Sequence, residues 1–221
     1  MDRRHFISTG LAASAAVAGI SKPAKAAQDG SLKILGIACS PRKGKTTATS
    51  IGIALEATKQ VHSSITTELI DLGGLTFSGW NGTGKFADDS FSNHVLPKLK
   101  DLSVGGLIIG SPVYFRNMSS LCMSFLERLA ALRKPKLLLA SKVVGTLSVG
   151  GYRHGGQELV IQQIQTAMLC HEAVIVGGKP GAHQGATLWN AHQDDISKDE
   201  FGIATAKQLG TRVAEAVLAD H

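Results

Sequence analysis

The sequence predicts an α/β protein: a doubly wound, five-stranded parallel sheet with helices on both faces. Three observations carry this. Short apolar runs alternate with helix-periodic segments along residues 32–219, the pattern of strand–helix–strand units. The strand runs are apolar on successive residues, as expected of strands buried on both faces. Aromatic residues make up only 5% of the chain while glycine is frequent, at 25 of 221 residues, which suits glycine-rich loops on an α/β frame better than an all-β sandwich.

The elements follow in order. Residues 32–39 form a short apolar run closed by a turn signal, hence a buried strand. Residues 46–60 carry Ile51 and Leu55 at helical spacing. Residues 64–72 are the second strand, and residues 73–85 a glycine-rich loop. Asp88 or Asp89 is placed to cap a helix running to about Lys100, with Pro97 marking a break inside it. Residues 104–110 are the third strand. Met118, Leu121, Cys122, Phe125, Leu126, Leu129 and Leu132 trace the clearest amphipathic helix in the chain. Residues 142–149, 157–171 and 173–177 read as strand, helix and fifth strand. A last helix covers residues 198–219, with Leu209, Val213 and Val217 on one face.

Residues 1–26 stand apart from this frame. Arg3-Arg4 precedes Phe6-Ile7, a weakly apolar run covers residues 7–20, and Ala24-Lys25-Ala26 ends the segment. This is the pattern of a cleavable twin-arginine export signal, followed by a linker at residues 27–31 and one domain over residues 32–221. As a helix the apolar run would reach about 21 Å, short of a hydrocarbon core of about 30 Å. The expectation is a periplasmic protein with no transmembrane segment after cleavage. Losing the segment removes four basic side chains (Arg3, Arg4, Lys22, Lys25) and one acidic one (Asp2), so the formal charge falls from +6 to +3. The basic balance therefore gives little support to a nucleic-acid partner, and no aromatics interleave the lysines. Twin-arginine export carries folded proteins, which favours a cofactor acquired beforehand. Cys39, Cys122 and Cys170 are far apart and form no CxxC pair, so neither a metal site nor a disulfide framework is expected. Each sits in an apolar run as a small core residue.

In a parallel sheet ordered 2-1-3-4-5, strands one, three and four are neighbours and their following loops share one edge, where ligands of such sheets bind. Loop one, residues 40–47, crowds hydroxyls, basic side chains and a glycine before a helix start, a good phosphate site. Gly44-Lys45-Thr46 matches the end of a nucleoside-triphosphate loop, but Cys39 stands where that motif needs glycine, and strand three ends Gly110-Ser111-Pro112 without a magnesium-binding aspartate. Ser40, Arg42, Lys45, Thr46 and Thr47 better suit a single terminal phosphate monoester. Loop two, residues 111–117, offers Pro112, Val113, Tyr114, Phe115, Arg116 and Asn117; its aromatics either flank a flat ring or pack on the core. Loop three supplies Gly150, Gly151, Tyr152, Gly155 and Gly156, whose glycines permit close approach to a ligand. Arg153 or His154 would set positive charge beside a reduced ring.

Taken together, Ser40-Pro41-Arg42, Thr46-Thr47, residues 110–115, Phe125-Leu126-Glu127-Arg128 and residues 153–158 resemble the flavodoxin-like NAD(P)H-dependent FMN reductase family. The resemblance spans about residues 32–195 and is closest to the iron–sulfur flavoprotein branch. It implies FMN as cofactor, with its phosphate on loop one and its ring between loops two and three, and NAD(P)H as electron donor. It also implies a quinone or other small-molecule acceptor, and a homodimer or homotetramer in which residues 181–189 form an interface loop. No catalytic acid or base is required, because the flavin carries the chemistry. The iron–sulfur branch carries cluster cysteines before an Asp-Asp pair; residues 77–89 here contain none, so no iron–sulfur cluster is expected. Trp80 in this stretch either covers a flavin or anchors the loop. Two other functions fit the same features: an electron carrier like a flavodoxin, and an accessory protein that delivers FMN.

Overall fold

The computed structural model of the chain describes residues 32–220; the expected export segment and its linker lie outside them. The strands are β1 (Leu32–Ala38), β2 (Ile65–Asp71), β3 (Val104–Tyr114), β4 (Asn117–Met118), β5 (Val143–Gly150), β6 (Val174–Ile175) and β7 (Ala186–Trp189). The helices are α1 (Thr46–Lys59), α2 (Leu96–Leu99), α3 (Ser120–Arg128), α4 (Gln157–Leu169) and α5 (Glu200–Ala219).

The sheet runs β2-β1-β3-β5-β6, with parallel pairing throughout that path. This is the doubly wound order expected. Successive residues of a strand point to opposite faces, so Ile34 and Ile108 join Ile51, Leu55 and Val213 under α1 and α5. Leu35, Ile37, Leu107 and Ile109 join Phe91, Phe125 and Ile164 under the helices of the other face. This division explains why the strand runs are apolar without alternation.

Four expectations are corrected. The fifth strand is not one run over residues 173–177: β6 pairs with the start of β5 and β7 with its end, from Leu147↔Ala186 to Gly150↔Trp189. Pro180 has no amide for a ladder, and residues 176–185 loop out, closed by Gly178 N donating to Ala182 O at 2.6 Å. Residues 186–189 of the expected interface loop are therefore sheet. The helix expected from Asp88 or Asp89 starts as a π-turn, Phe91–Val95, which Asp89 caps by accepting from Ser92 N at 3.1 Å. The amphipathic helix is shorter than its periodicity: Met118 lies in β4, and residues 129–132 form a 3₁₀ turn. Cys170 is exposed, unlike the buried Cys39 and Cys122.

Candidate cofactor site

The C-terminal ends of β1, β3 and β5 meet at one edge, joined by buried serines. Ser119 Oγ donates to Cys39 O at 2.6 Å and accepts from Cys122 N at 3.0 Å, capping α3. Ser119 N donates to Ser111 Oγ, and Ser148 Oγ donates to Ser111 O, both at 3.0 Å. Partners on both sides offset the desolvation of a buried hydroxyl and rigidify what it joins. These three serines were not anticipated as a group; only the serine before the α3 periodicity carried a signal, as an N-cap.

Loop one has the form of a phosphate cradle. Ser40, Thr46 and Thr47 are buried, and Ser40 Oγ accepts from Arg42 N at 3.2 Å, tightening the turn. Gly44 adopts φ +69°, and its amide donates to Asp71 Oδ2 at 2.7 Å. Asp71, at the end of β2, is a second residue that sequence reasoning missed. Lys45 precedes α1 with extended backbone and gives the helix no side-chain cap. The first amides of α1 therefore have neither an intrahelical partner nor a capping oxygen, the donor set an anion takes.

Loop two is more ordered than expected. β3 continues through Ser111 and Pro112 to Tyr114 and returns in β4, with Val113↔Met118 and Tyr114↔Asn117 paired. Phe115 (φ 51°) and Arg116 (φ 62°) form the turn, both left-handed as a tight hairpin of this hand requires. Gln163 of α4 clamps the hairpin: its Oε1 accepts from Met118 N at 3.1 Å and its Nε2 donates to Asn117 Oδ1 at 2.7 Å. Pro112 is buried and Val113 half-buried. Tyr114 is exposed and Phe115 completely so, so Phe115 does not pack on the core.

In loop three, Gly150 ends β5 and Gly151 follows. Gly156 (φ 113°) precedes α4, and a Cβ there would lie 3.2 Å from Arg116 Cα, so loops two and three touch. Gln157 holds the loop closed: Nε2 donates to Tyr152 O at 2.6 Å and to Leu188 O at 3.1 Å, and Oε1 accepts from Gly155 N at 2.9 Å. Arg153 lies over the Trp189 ring at 4.8 Å and 3.6 Å from buried Asp199. Beside it opens a cleft of about 470 Å³, lined by Arg116, Arg153, His154, Trp189 and Phe201 among others.

A further segment, residues 190–195, reaches this edge from β7. Asn190 Nδ2 donates to Thr46 Oγ1 at 3.3 Å. The His192 ring packs edge-on against Tyr152, 4.4 Å between centroids. Asp194 pairs with both Arg42 and Lys45. Sequence reading assigned this segment no role, because only the pairing of β7 with β5 brings it to the cofactor edge.

The stretch without cysteines is held by the end of α3. Arg128 donates to Asp89 Oδ2 at 2.5 Å and to Ser78 O at 3.1 Å. Glu127 accepts from Trp80 N at 3.1 Å. Trp80, 47% exposed, lines a small pocket with Lys85, Phe86 and Arg128. Among the described residues no group of three His, Cys, Asp or Glu side chains is placed to hold a metal ion.

The sheet order and the helices on its two faces define a flavodoxin-like fold. A solved flavodoxin, a WrbA-like protein of Agrobacterium tumefaciens, superposes with a TM-score of 0.57 at 17% identity, covering 86% of this chain and 99% of that one. The family model for NADPH-dependent FMN reductase matches residues 32–187, and the chain belongs to that family. It is 35% identical over 195 residues to an iron–sulfur flavoprotein of Methanocaldococcus jannaschii, covering 84% of this chain and 97% of the relative. It is 38% identical over 79 residues to an NAD(P)H dehydrogenase (quinone) of Paracoccus denitrificans, covering 36% and 37% of the two chains. Family membership makes the protein an FMN-dependent oxidoreductase.

Proposed function

We propose that the protein takes electrons from NAD(P)H, a quinol or a protein donor and passes them to a quinone or another small oxidised molecule, in alternating half-reactions. The observation that carries this is the convergence of the uncapped α1 N-terminus with loops two and three. Ser40, Thr46, Thr47 and the first amides of α1 would hold the FMN phosphate, with Arg42 and Lys45 adding charge. Pro112 to Asn117 and Gly150 to Gly156 would border the ring. FMN, when bound, supplies hydride and electron transfer. The chain's part is to grip the phosphate, orient the ring and keep one side open. The cleft beside Arg153 favours an enzyme over a simple carrier, since it offers a second molecule room next to loops two and three.

Residues 77–89 hold no cysteine, and a cluster needs thiolate ligands, so the protein works on FMN alone. Its relative's quinone-reductase name supports a quinone acceptor. The N-terminal segment supports twin-arginine export to the periplasm. Reduced nicotinamides are scarce there, so a quinol or protein donor gains weight. A homodimer or homotetramer fits the fully exposed Phe115.

The test is anaerobic reduction of the FMN-loaded protein. Rapid bleaching of the flavin absorbance by NADH, NADPH or a quinol supports the enzyme. Reduction by dithionite alone would leave only a carrier, and failure to take up FMN would overturn the proposal.

A further inference from the structure

Two of the three cations on loop one already have an anion. Asp194 Oδ1 lies 2.6 Å from Arg42 Nη1, and its Oδ2 lies 3.1 Å from Lys45 Nζ. One carboxylate thus bridges both side chains, one oxygen to each, much as a phosphate would. Lys45 and Arg42 together hold the Asp194 carboxyl below the usual carboxylate range, the hydrogen bond from Lys45 contributing most. The segment carrying Asp194 is not free to drift: Asn190 is bonded to Thr46 of α1, and His192 packs on Tyr152 of loop three. Ala191 (φ 49°) and His192 (φ 60°) are consecutive left-handed residues, a costly conformation for side-chain-bearing residues that these anchors sustain.

We propose that Asp194 is an internal counter-ion of the phosphate loop, an anion that an incoming phosphate must displace or share. The proposal rests on FMN being the ligand of this edge. A small phosphate competes with Asp194 for Arg42 and Lys45 and has nothing else to gain. FMN also reaches loop three, where His192 of the same segment packs, so one ligand engages both anchors of the strap. Asp194 thereby lowers the affinity of the loop for any phosphate, that of FMN included, and leaves the ring contacts untouched. Both ion pairs are partly exposed, with side-chain accessibilities of 39–51%, so solvent screens them. Two such pairs set the effect at between about twofold and thirtyfold in affinity.

The experiment titrates the apoprotein with FMN, riboflavin and inorganic phosphate, following flavin fluorescence and, for phosphate, heat or phosphorus resonance. Asp194→Asn is expected to tighten FMN and phosphate by about twofold to thirtyfold and to leave riboflavin, which lacks the phosphate, unchanged. Asp194→Glu, which keeps the carboxylate, is expected to leave the FMN and phosphate affinities near the wild-type values. Adding Arg42→Ala and Lys45→Ala to Asp194→Asn should abolish the gain. Unchanged or weaker phosphate and FMN binding by Asp194→Asn, with a wild-type melting temperature, would overturn the proposal; the weaker case would mean that Asp194 positions the cations for phosphate. If the wild-type protein binds neither flavin, the cofactor assignment fails, and the phosphate titration still decides the role of Asp194.

Discussion

Arg128 is the largest fully buried side chain among the described residues, and its charge is tolerable because Asp89 meets it. Both guanidinium nitrogens of the fork bond Asp89, Ser92 Oγ adds a third acceptor, and the ring of Phe91 lies 4.8 Å from the guanidinium carbon. Burial pushes the Asp89 carboxyl up, but Arg128 and the Ser92 amide outweigh it and hold it below the usual range. A carboxyl depressed on folding contributes stability that is complete above its unfolded pKa, about 3.9, and is lost as pH falls through the folded value. Arg128→Met strands the carboxylate, and we expect a loss of about 3–5 kcal/mol at pH 7. Without Arg128 the Asp89 carboxyl loses its main charge partner and keeps only the Ser92 and Phe91 amides against burial, so its pKa rises and the deficit should shrink on acidification. Urea midpoints at pH 7 and pH 4.5 check both; an equal deficit at both would show that lost packing, not charge, is responsible.

At the scale of elements, two contacts decide whether the edge is properly built. The first is α5 against α1. A Cβ on Gly210 would sit 2.0 Å from the Ala54 carbonyl oxygen, so the helices touch backbone to backbone. Gly→Ala inside a helix ordinarily gains up to about 1 kcal/mol. Here the clash is with a carbonyl that cannot turn aside, and overpacking costs about 1–3 kcal/mol. Gly210→Ala is thus expected to lower stability despite its better helix propensity, measured as a fall in melting temperature. The second contact is α1 with the ligand. Thr47→Val keeps the shape of a buried residue and removes its hydroxyl. If that hydroxyl helps to grip the phosphate, FMN affinity should fall by about three- to tenfold, while riboflavin affinity stays the same in a parallel fluorescence titration.

For the whole molecule, the cluster-free proposal makes a direct prediction. Protein purified anaerobically and loaded with FMN should contain flavin near one equivalent per chain and iron and sulfide at background. Stoichiometric iron would refute it. Within residues 77–89 side-chain bonds from the end of α3 hold the chain: Glu127 accepts the Trp80 amide, and Arg128 bonds Ser78 and Asp89. Among the described residues no helix is long and apolar enough to cross a membrane.

The apolar runs by themselves marked the strands of a parallel sheet covered on both faces, because burial of consecutive residues leaves a direct mark on composition. Ser40, Thr46 and Thr47 stood out on a different ground, as a hydroxyl-rich turn between a strand and a helix, and the structure buries all three there. The hairpin at Phe115 and Arg116 was not legible, since neither residue announces a left-handed backbone and Gln163, 45 residues beyond Met118, supplies the clamp. The division of the fifth strand, and with it the delivery of Asn190, His192 and Asp194 to loops one and three, was decided by tertiary structure. Polar residues in an exposed segment carry no period of their own. Their place follows from the register of β7 on β5, an interaction between residues about 40 apart that no local pattern records.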